Sequence, residues 1–192
     1  MTENKREGNA ARPVMSRAIF KQMAIETPKL RSQITFWSLA LAGLELDLWT
    51  KSAVFAWLDQ KDSFSVIDGY LQFVTALNNG AAFGIFAGKM YMLMAVSVIA
   101  LIVILAVFYL GGNQHVMVNM ALGLLVAGIC GNLYDRIFNN GLVRDFIDVS
   151  IGNYHWPAFN VADSLLCIGV VLLLISTFFT QQSSQKHAQQ QK

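Results

Sequence analysis

Four stretches of this chain are apolar over the length of a helix, and its polar residues collect at their ends and between them. The first is apolar over 34–44 and then carries Glu45, Asp47 and Lys51 with apolar residues between and after them, which predicts a crossing helix over 33–54. Met90–Leu110 is apolar apart from Ser97 and two tyrosines. At 1.5 Å per residue it reaches about 31 Å, enough for one bilayer crossing. Residues 116–134 and 161–180 are the third and fourth spans. Residues 55–89 follow another period: 64–67 and 70–75 are two β-rich pieces around Asp68-Gly69, a hairpin whose apolar face is Leu71, Phe73 and Leu77. The pattern predicts an all-α integral membrane protein with four transmembrane helices and a small β-rich element. Residues 33–180 form its membrane unit, flanked by a polar basic tail at 1–32 and a polar, disordered tail at 181–192.

Composition agrees: 55% of residues are hydrophobic and 14% charged, too apolar for a soluble domain. A small-x-small sequence, Ala40-Leu41-Ala42, raises the possibility of a cleavable leader, but the polar tail before it is long and helix-compatible sequence continues to about Leu58. A lipoprotein-type site would need cysteine where Leu44 stands. Lys5, Arg6, Arg12, Arg17, Lys21, Lys29 and Arg31 all precede the first span, so the amino-terminal side is read as cytoplasmic, and four spans bring the carboxy terminus back to it. The basic tail fits a solvated segment or contact with anionic lipid equally well. Nothing aromatic or glycine-rich accompanies it to suggest nucleic acid.

This topology places residues 55–89 and 137–160 outside, with Asp47, Lys51, Asn78, Asp145 and Asp163 at the outer membrane boundary. Ionisable groups there are expensive, which makes function the default suspicion. Two carboxylates in a partly dry site cannot both ionise cheaply; one keeps a proton while the other activates water, the requirement for cleaving an amide without a nucleophilic serine or a metal. Asp163 fits such a pair or a helix cap. Asp145 lies among Val143, Phe146 and Ile147, against the membrane surface, and Asp148 is as good a partner on spacing alone. Asp47 and Lys51 stand at i,i+4 and pair, or else snorkel at the helix end. Asp135-Arg136 reads as an ion pair ordering the site, and Glu45 has no assigned role. Asn78 offers a donor and an acceptor beside the small residues Gly80-Ala81-Ala82. Gly123, Gly128 and Gly131 predict close helix packing. Cys130 and Cys167 read as buried small hydrophobes. His155 reads as interfacial loop, and with His115 and His187 on the other side no ligand set at zinc spacing exists, so no metal and no cofactor is expected.

Five motifs in order, Asp47-Leu-Trp-Thr-Lys51, Asn78-Asn-Gly-Ala-Ala-Phe83, Gly128-Ile-Cys-Gly-Asn-Leu-Tyr-Asp-Arg136, Val143-Arg-Asp-Phe-Ile147 and Phe159-Asn-Val-Ala-Asp163, resemble the lipoprotein signal peptidase (signal peptidase II) family over residues 34–180. The resemblance implies an aspartic endopeptidase of the bacterial inner membrane that cuts diacylglyceryl-modified prolipoproteins before the lipidated cysteine. It implies Asp145 and Asp163 as the catalytic pair, and Asp47, Lys51, Asn78, Gly80, Gly131, Asn132, Asp135, Arg136, Asn160 and Ala162 as residues that bind substrate or order the site. It further implies an extracytoplasmic β-cradle, a gating segment over 80–88, membrane lipid and prolipoprotein substrates as partners, a monomer, and binding of globomycin-type inhibitors. Two departures stand out. The family pattern has a small apolar residue where this chain has Arg144, which should point away from Asp145 if the segment is extended, and the turn at Asn139-Asn140-Gly141 is slightly long. A proton-coupled transporter would carry its acids nearer the midplane and show a repeat. A scaffold would tolerate Asp-to-Asn changes, and the Gly-x-Gly-Asp signature of another intramembrane class is absent.

Overall fold

The computed structural model describes residues 27–59, 63–81, 84–112, 115–152 and 154–190. The expected amino-terminal tail lies almost wholly outside them. Four helices, α1 (Leu30–Trp57), α2 (Met90–Leu110), α3 (Val116–Phe138) and α4 (Val161–Gln190), surround and carry a sheet of β1 (Ser63–Ile67), β2 (Leu71–Asn78), β3 (Val143–Ile151) and β4 (Tyr154–His155). The strands are antiparallel in the order β1-β2-β3-β4. Among the described residues α2, α3 and 161–179 of α4 are long and apolar enough to cross a membrane. Glu45, Asp47 and Lys51 dilute α1, which does not join them on composition.

Helix α3 is the hub, in contact with all three other helices, and its buried positions are mostly small or polar. Small side chains let helices approach where lipid offers no hydrophobic drive to bring them together. A methyl on Gly123 would lie 2.6 Å from the Phe36 carbonyl oxygen of α1, and one on Gly128 would lie 2.5 Å from the Ala162 carbonyl oxygen of α4. Phe36 stacks on Phe108 of α2 with ring centroids 4.0 Å apart, beside Ala40, Leu122 and Val126. The remainder of α2 is largely apolar and exposed, as a lipid-facing helix should be.

The Asp-Gly hairpin forms, but its turn spans Asp68, Gly69 and Tyr70, with Gly69 at φ +77° and the Ser65 hydroxyl donating to Asp68. Register slips between Ser65 and Ile67, the usual accompaniment of a three-residue turn. A second slip in β2, between Phe73 and Ala76, changes the expected apolar face. Ala76 sits opposite Asp145 and Asn78 opposite Val143, so Leu77 falls on the reverse side and is exposed.

Other expectations are corrected. The carboxy-terminal segment continues α4 to Gln190, because its Gln, Ala and Lys are compatible with helix. Helix α3 runs four residues beyond 134, to Phe138. Cys130 is half-buried beside the Phe36 cluster, but Cys167 is exposed because its side of α4 faces a cavity. His155 lies in β4, and His115 caps α3 by accepting the Met117 N–H; His187 falls where side chains are not described.

The Gly128 contact gives a direct test. Gly128→Ala should drive a methyl into α4 backbone that cannot yield cheaply, lowering stability by about 1–3 kcal/mol. Thermal unfolding in detergent micelles reads this; an unchanged midpoint would mean that α3 and α4 are not so tightly apposed.

Candidate active site

The site is assembled where the carboxy-terminal ends of α1 and α3 and the amino-terminal end of α4 meet the sheet. Asp47 and Lys51, both 0% exposed, form an ion pair at 2.8 Å inside the bundle, so neither snorkels. One oxygen of Asp47 also accepts the Ala162 N–H at 2.8 Å. An anion from α1 thus answers one of the free amide groups at the start of α4. Gly131 and Ala162 are small for this reason: a methyl at 131 would strike the Asp47 carboxylate and press on Ala162.

Lys51 also donates to Asn132, at 3.0 Å, and forms a second ion pair with Asp135, at 3.3 Å. Asn132 passes the connection outward by donating to Asp163 at 2.8 Å. Asn160 and Asp163 form a capping box: the Asn160 side chain accepts the Asp163 N–H at 3.0 Å, and Asp163 accepts the Asn160 N–H at 3.2 Å. The cap of α4 is therefore Asn160, and Asp163 is its reciprocating partner with a second oxygen left for Asn132. Asn160 also donates to Asn132 at 3.2 Å and to Asp145 at 2.6 Å.

Asp145 is 2% exposed on β3, and the bulge in β2 aims Asn78 at it, donating at 3.0 Å. Burial pushes its carboxyl from an ordinary 3.8 up to about 6; the Asn78 bond opposes the rise, the charge of Asp163 adds to it, and the Asn160 bond and Lys51 oppose it. Asp148, three residues on, lies on the other face of β3, where Gln72 donates to it at 2.5 Å and His155 stands 3.6 Å away.

The expected Asp135–Arg136 pair does not form, since neighbours on a helix diverge by about 100°. Asp135 instead meets Lys51 and Arg144. Arg136 reaches the Gly80 carbonyl at 2.9 Å, while Gly80 donates its N–H to Asn78 at 2.8 Å, tying the loop after β2 to α3. The charge of Arg136 faces Asp163, Asp145 and Asp135, and its buried Nε has no hydrogen-bond partner among the described residues. Arg144 points away from Asp145, as an extended strand requires.

Asp145, Asp163, Asn78, Asn132 and Arg136 all border one cavity of about 710 Å³. Its further wall, Trp156 to Phe159 with Cys167, escaped the sequence reading, although Trp-Pro just before Phe159-Asn160 was the available signal. Among the described residues no three His, Cys, Asp or Glu side chains are grouped to hold a metal ion. The arrangement provides two carboxylates held by amides and facing a pocket with apolar walls, which suits proton exchange with a bound amide and water.

Residues 39–179 match the profile of Signal peptidase (SPase) II. The chain is 40% identical over 158 residues to the lipoprotein signal peptidase of Rhodopirellula baltica, covering 74% of this chain and 71% of that protein. It is 38% identical over 138 residues to that of Staphylococcus haemolyticus, covering 72% and 87%. A solved bacterial membrane enzyme, determined by the in meso method at 2.3 Å, is similar in structure with a TM-score of 0.72 and 34% identity, covering 82% of this chain and 94% of that one. A second, at 1.9 Å, gives 0.67 and 35%, covering 80% and 96%. The chain belongs to the signal peptidase II family.

Proposed function

We propose that this protein is a bacterial membrane aspartic endopeptidase that removes signal peptides from diacylglyceryl-modified prolipoproteins, cutting before the lipidated cysteine, with Asp145 and Asp163 as the catalytic pair. Membership of the family supports the reaction. The observation that carries the residue assignment is that both carboxylates line one cavity, gripped by amide N–H groups, and neither has an ion-pair partner among the described residues. An acid without a contacting cation remains free to take up and release a proton.

Asp145, whose proton is held to about pH 6, is suited to protonate the leaving nitrogen. Before that, Asp163 takes the proton from the water as its oxygen bonds to the carbonyl carbon, and the C–N bond breaks as Asp145 gives up its proton. The remaining polar residues keep the two carboxylates apart and oriented, and Ala76, Val143, Phe159 and Leu166 supply apolar wall for the substrate. The diacylglyceryl group keeps the scissile bond at the bilayer surface, so lateral diffusion delivers it and part of the entropic cost of encounter is removed beforehand.

In this reading α1 is a fourth span, acceptable in lipid because Asp47 and Lys51 neutralise one another inside the bundle. Both termini are cytoplasmic, following the basic tail, and the site opens at the outer boundary with the sheet as its cradle. One chain supplies the whole site, so a monomer suffices. A globomycin-type inhibitor would compete with substrate for the cavity.

Asp145→Asn and Asp163→Asn should each reduce cleavage of a synthetic lipidated prolipoprotein at least about 10³-fold while the protein still inserts. Asp148→Asn should stay within roughly tenfold, and the same peptide without its diacylglyceryl group should be cut poorly. Near-normal turnover by either of the first two variants would refute the pair.

The charge state of Asp145 gives a stability test. Its folded value near 6 exceeds the unfolded one, so the favourable contribution is complete at low pH and is lost as pH rises through about 6. Asp145→Asn should therefore gain on wild type by about 2–3 kcal/mol from pH 4 to pH 7.5, on top of a cost of about 1 kcal/mol for mismatched amide contacts that is the same at every pH. Unfolding midpoints across that range check it; a difference that does not grow with pH would contradict a buried, titrating Asp145.

A further inference from the structure

Arg144 does not border the cavity, yet it is among the most heavily engaged side chains near it. Its Nη2 and Nε both donate to one oxygen of Asp135, at 2.7 and 3.1 Å, and its backbone N–H donates to the other at 3.0 Å. Its Nη1 donates to the Ser52 hydroxyl of α1 at 3.2 Å. The oxygen that takes the backbone N–H is also the one 3.3 Å from Lys51. Asp47, Asp135, Lys51 and Arg144 thus form a quartet of zero net charge spanning α1, α3 and β3, with all but Arg144 essentially without solvent.

We infer that Arg144 is a positioning residue for the peptidase reaction, acting on the catalytic pair through Asp135, Lys51 and Asn132; this deepens the reading above and rests on it. Lys51 divides its charge between ion pairs with Asp47 and Asp135 while donating a hydrogen bond to Asn132. With the guanidinium satisfying Asp135, Lys51 is not drawn to that acid alone and keeps its 3.0 Å bond to Asn132. Asn132 in turn orients Asp163 and shares Asn160 with Asp145. Removing the charge of Arg144 leaves a buried acid short of a partner, and the nearest mobile cation is Lys51. Its shift toward Asp135 slackens Asn132 and draws positive charge away from Asp145.

The consequence is readable in pH. The charged groups facing Asp145 are Lys51 from α1, Arg136 from α3 and Asp163 from α4, while β2 supplies only neutral Asn78. Withdrawal of Lys51 favours the protonated carboxyl, so the alkaline limb of the activity profile, where Asp145 loses the proton the reaction needs, moves to higher pH.

The experiment compares Arg144→Gln, which keeps a hydrogen-bond donor and the backbone contact, with Arg144→Lys, which keeps the charge, in full-length protein in micelles. Arg144→Gln should lower kcat roughly tenfold with KM within about twofold, and move the alkaline limb up by roughly half a pH unit. Arg144→Lys should restore the limb and part of kcat. The carboxyl C=O stretch of Asp145, assigned by its loss in Asp145→Asn and titrated by infrared spectroscopy without substrate, should rise with the limb in Arg144→Gln alone. An unmoved titration in Arg144→Gln, whether or not kcat falls, would overturn the inference and leave Arg144 a structural contact. Failure of wild type to cut lipidated substrate would count against the proposed function instead, and the infrared titration would still decide the role of Arg144.

Discussion

An ammonium and a carboxylate cannot be left unanswered inside an apolar helix bundle, and the ion pair of Asp47 with Lys51 is the place where this protein meets that constraint. Each partner is required to do more than neutralise the other. Asp47 holds the first turn of α4, and Lys51 holds Asn132 and Asp135 of α3. Three helices are thereby fixed relative to one another by polar contacts that lipid cannot satisfy. The strictness of Gly131 follows from the same pair, because the carboxylate occupies the space a side chain would need.

From that anchor the polar connections run in one direction, toward the cavity. Asn132 and Asn160 each bond at least two other polar groups, and amides suit this work because they donate and accept without adding charge. The two acids at the cavity are therefore held firmly by neutral partners, whereas the two behind them are cancelled by cations. Similar side chains receive opposite treatment, as the proposed proton transfer at the cavity would require.

Met90–Leu110 could be read to the residue because nothing in it competes with a span, and Asp68-Gly69 marked the hairpin because few other conformations suit that pair. Asp145 and Asp163 stood out as candidates because carboxylates beside long apolar runs need a reason to be there. What escaped reading depends on distance along the chain. The bond from Asp47 to the Ala162 N–H joins positions 115 apart, and the partner of Arg144 is a residue for which a nearer neighbour, Arg136, was the obvious choice. The bulge in β2 left no mark in the alternation of side chains, so Leu77 was placed on the wrong face. The walls of the cavity likewise exist only once β2 and the loop after it, residues 156–159 and α4 are brought together.

That bulge imposes a rule of parity on the chain. Strand side chains alternate with a period of two, and the extra residue between Phe73 and Ala76 decides whether an amide or a leucine confronts Asp145. Length changes in the exposed turn at Asp68–Tyr70 leave that phase untouched. A single residue inserted between Ala76 and Leu77, where the pairing is regular, would exchange the two faces and present Leu77 to the acid, whereas an insertion of two would preserve the phase. The segment can therefore vary in composition far more freely than in length.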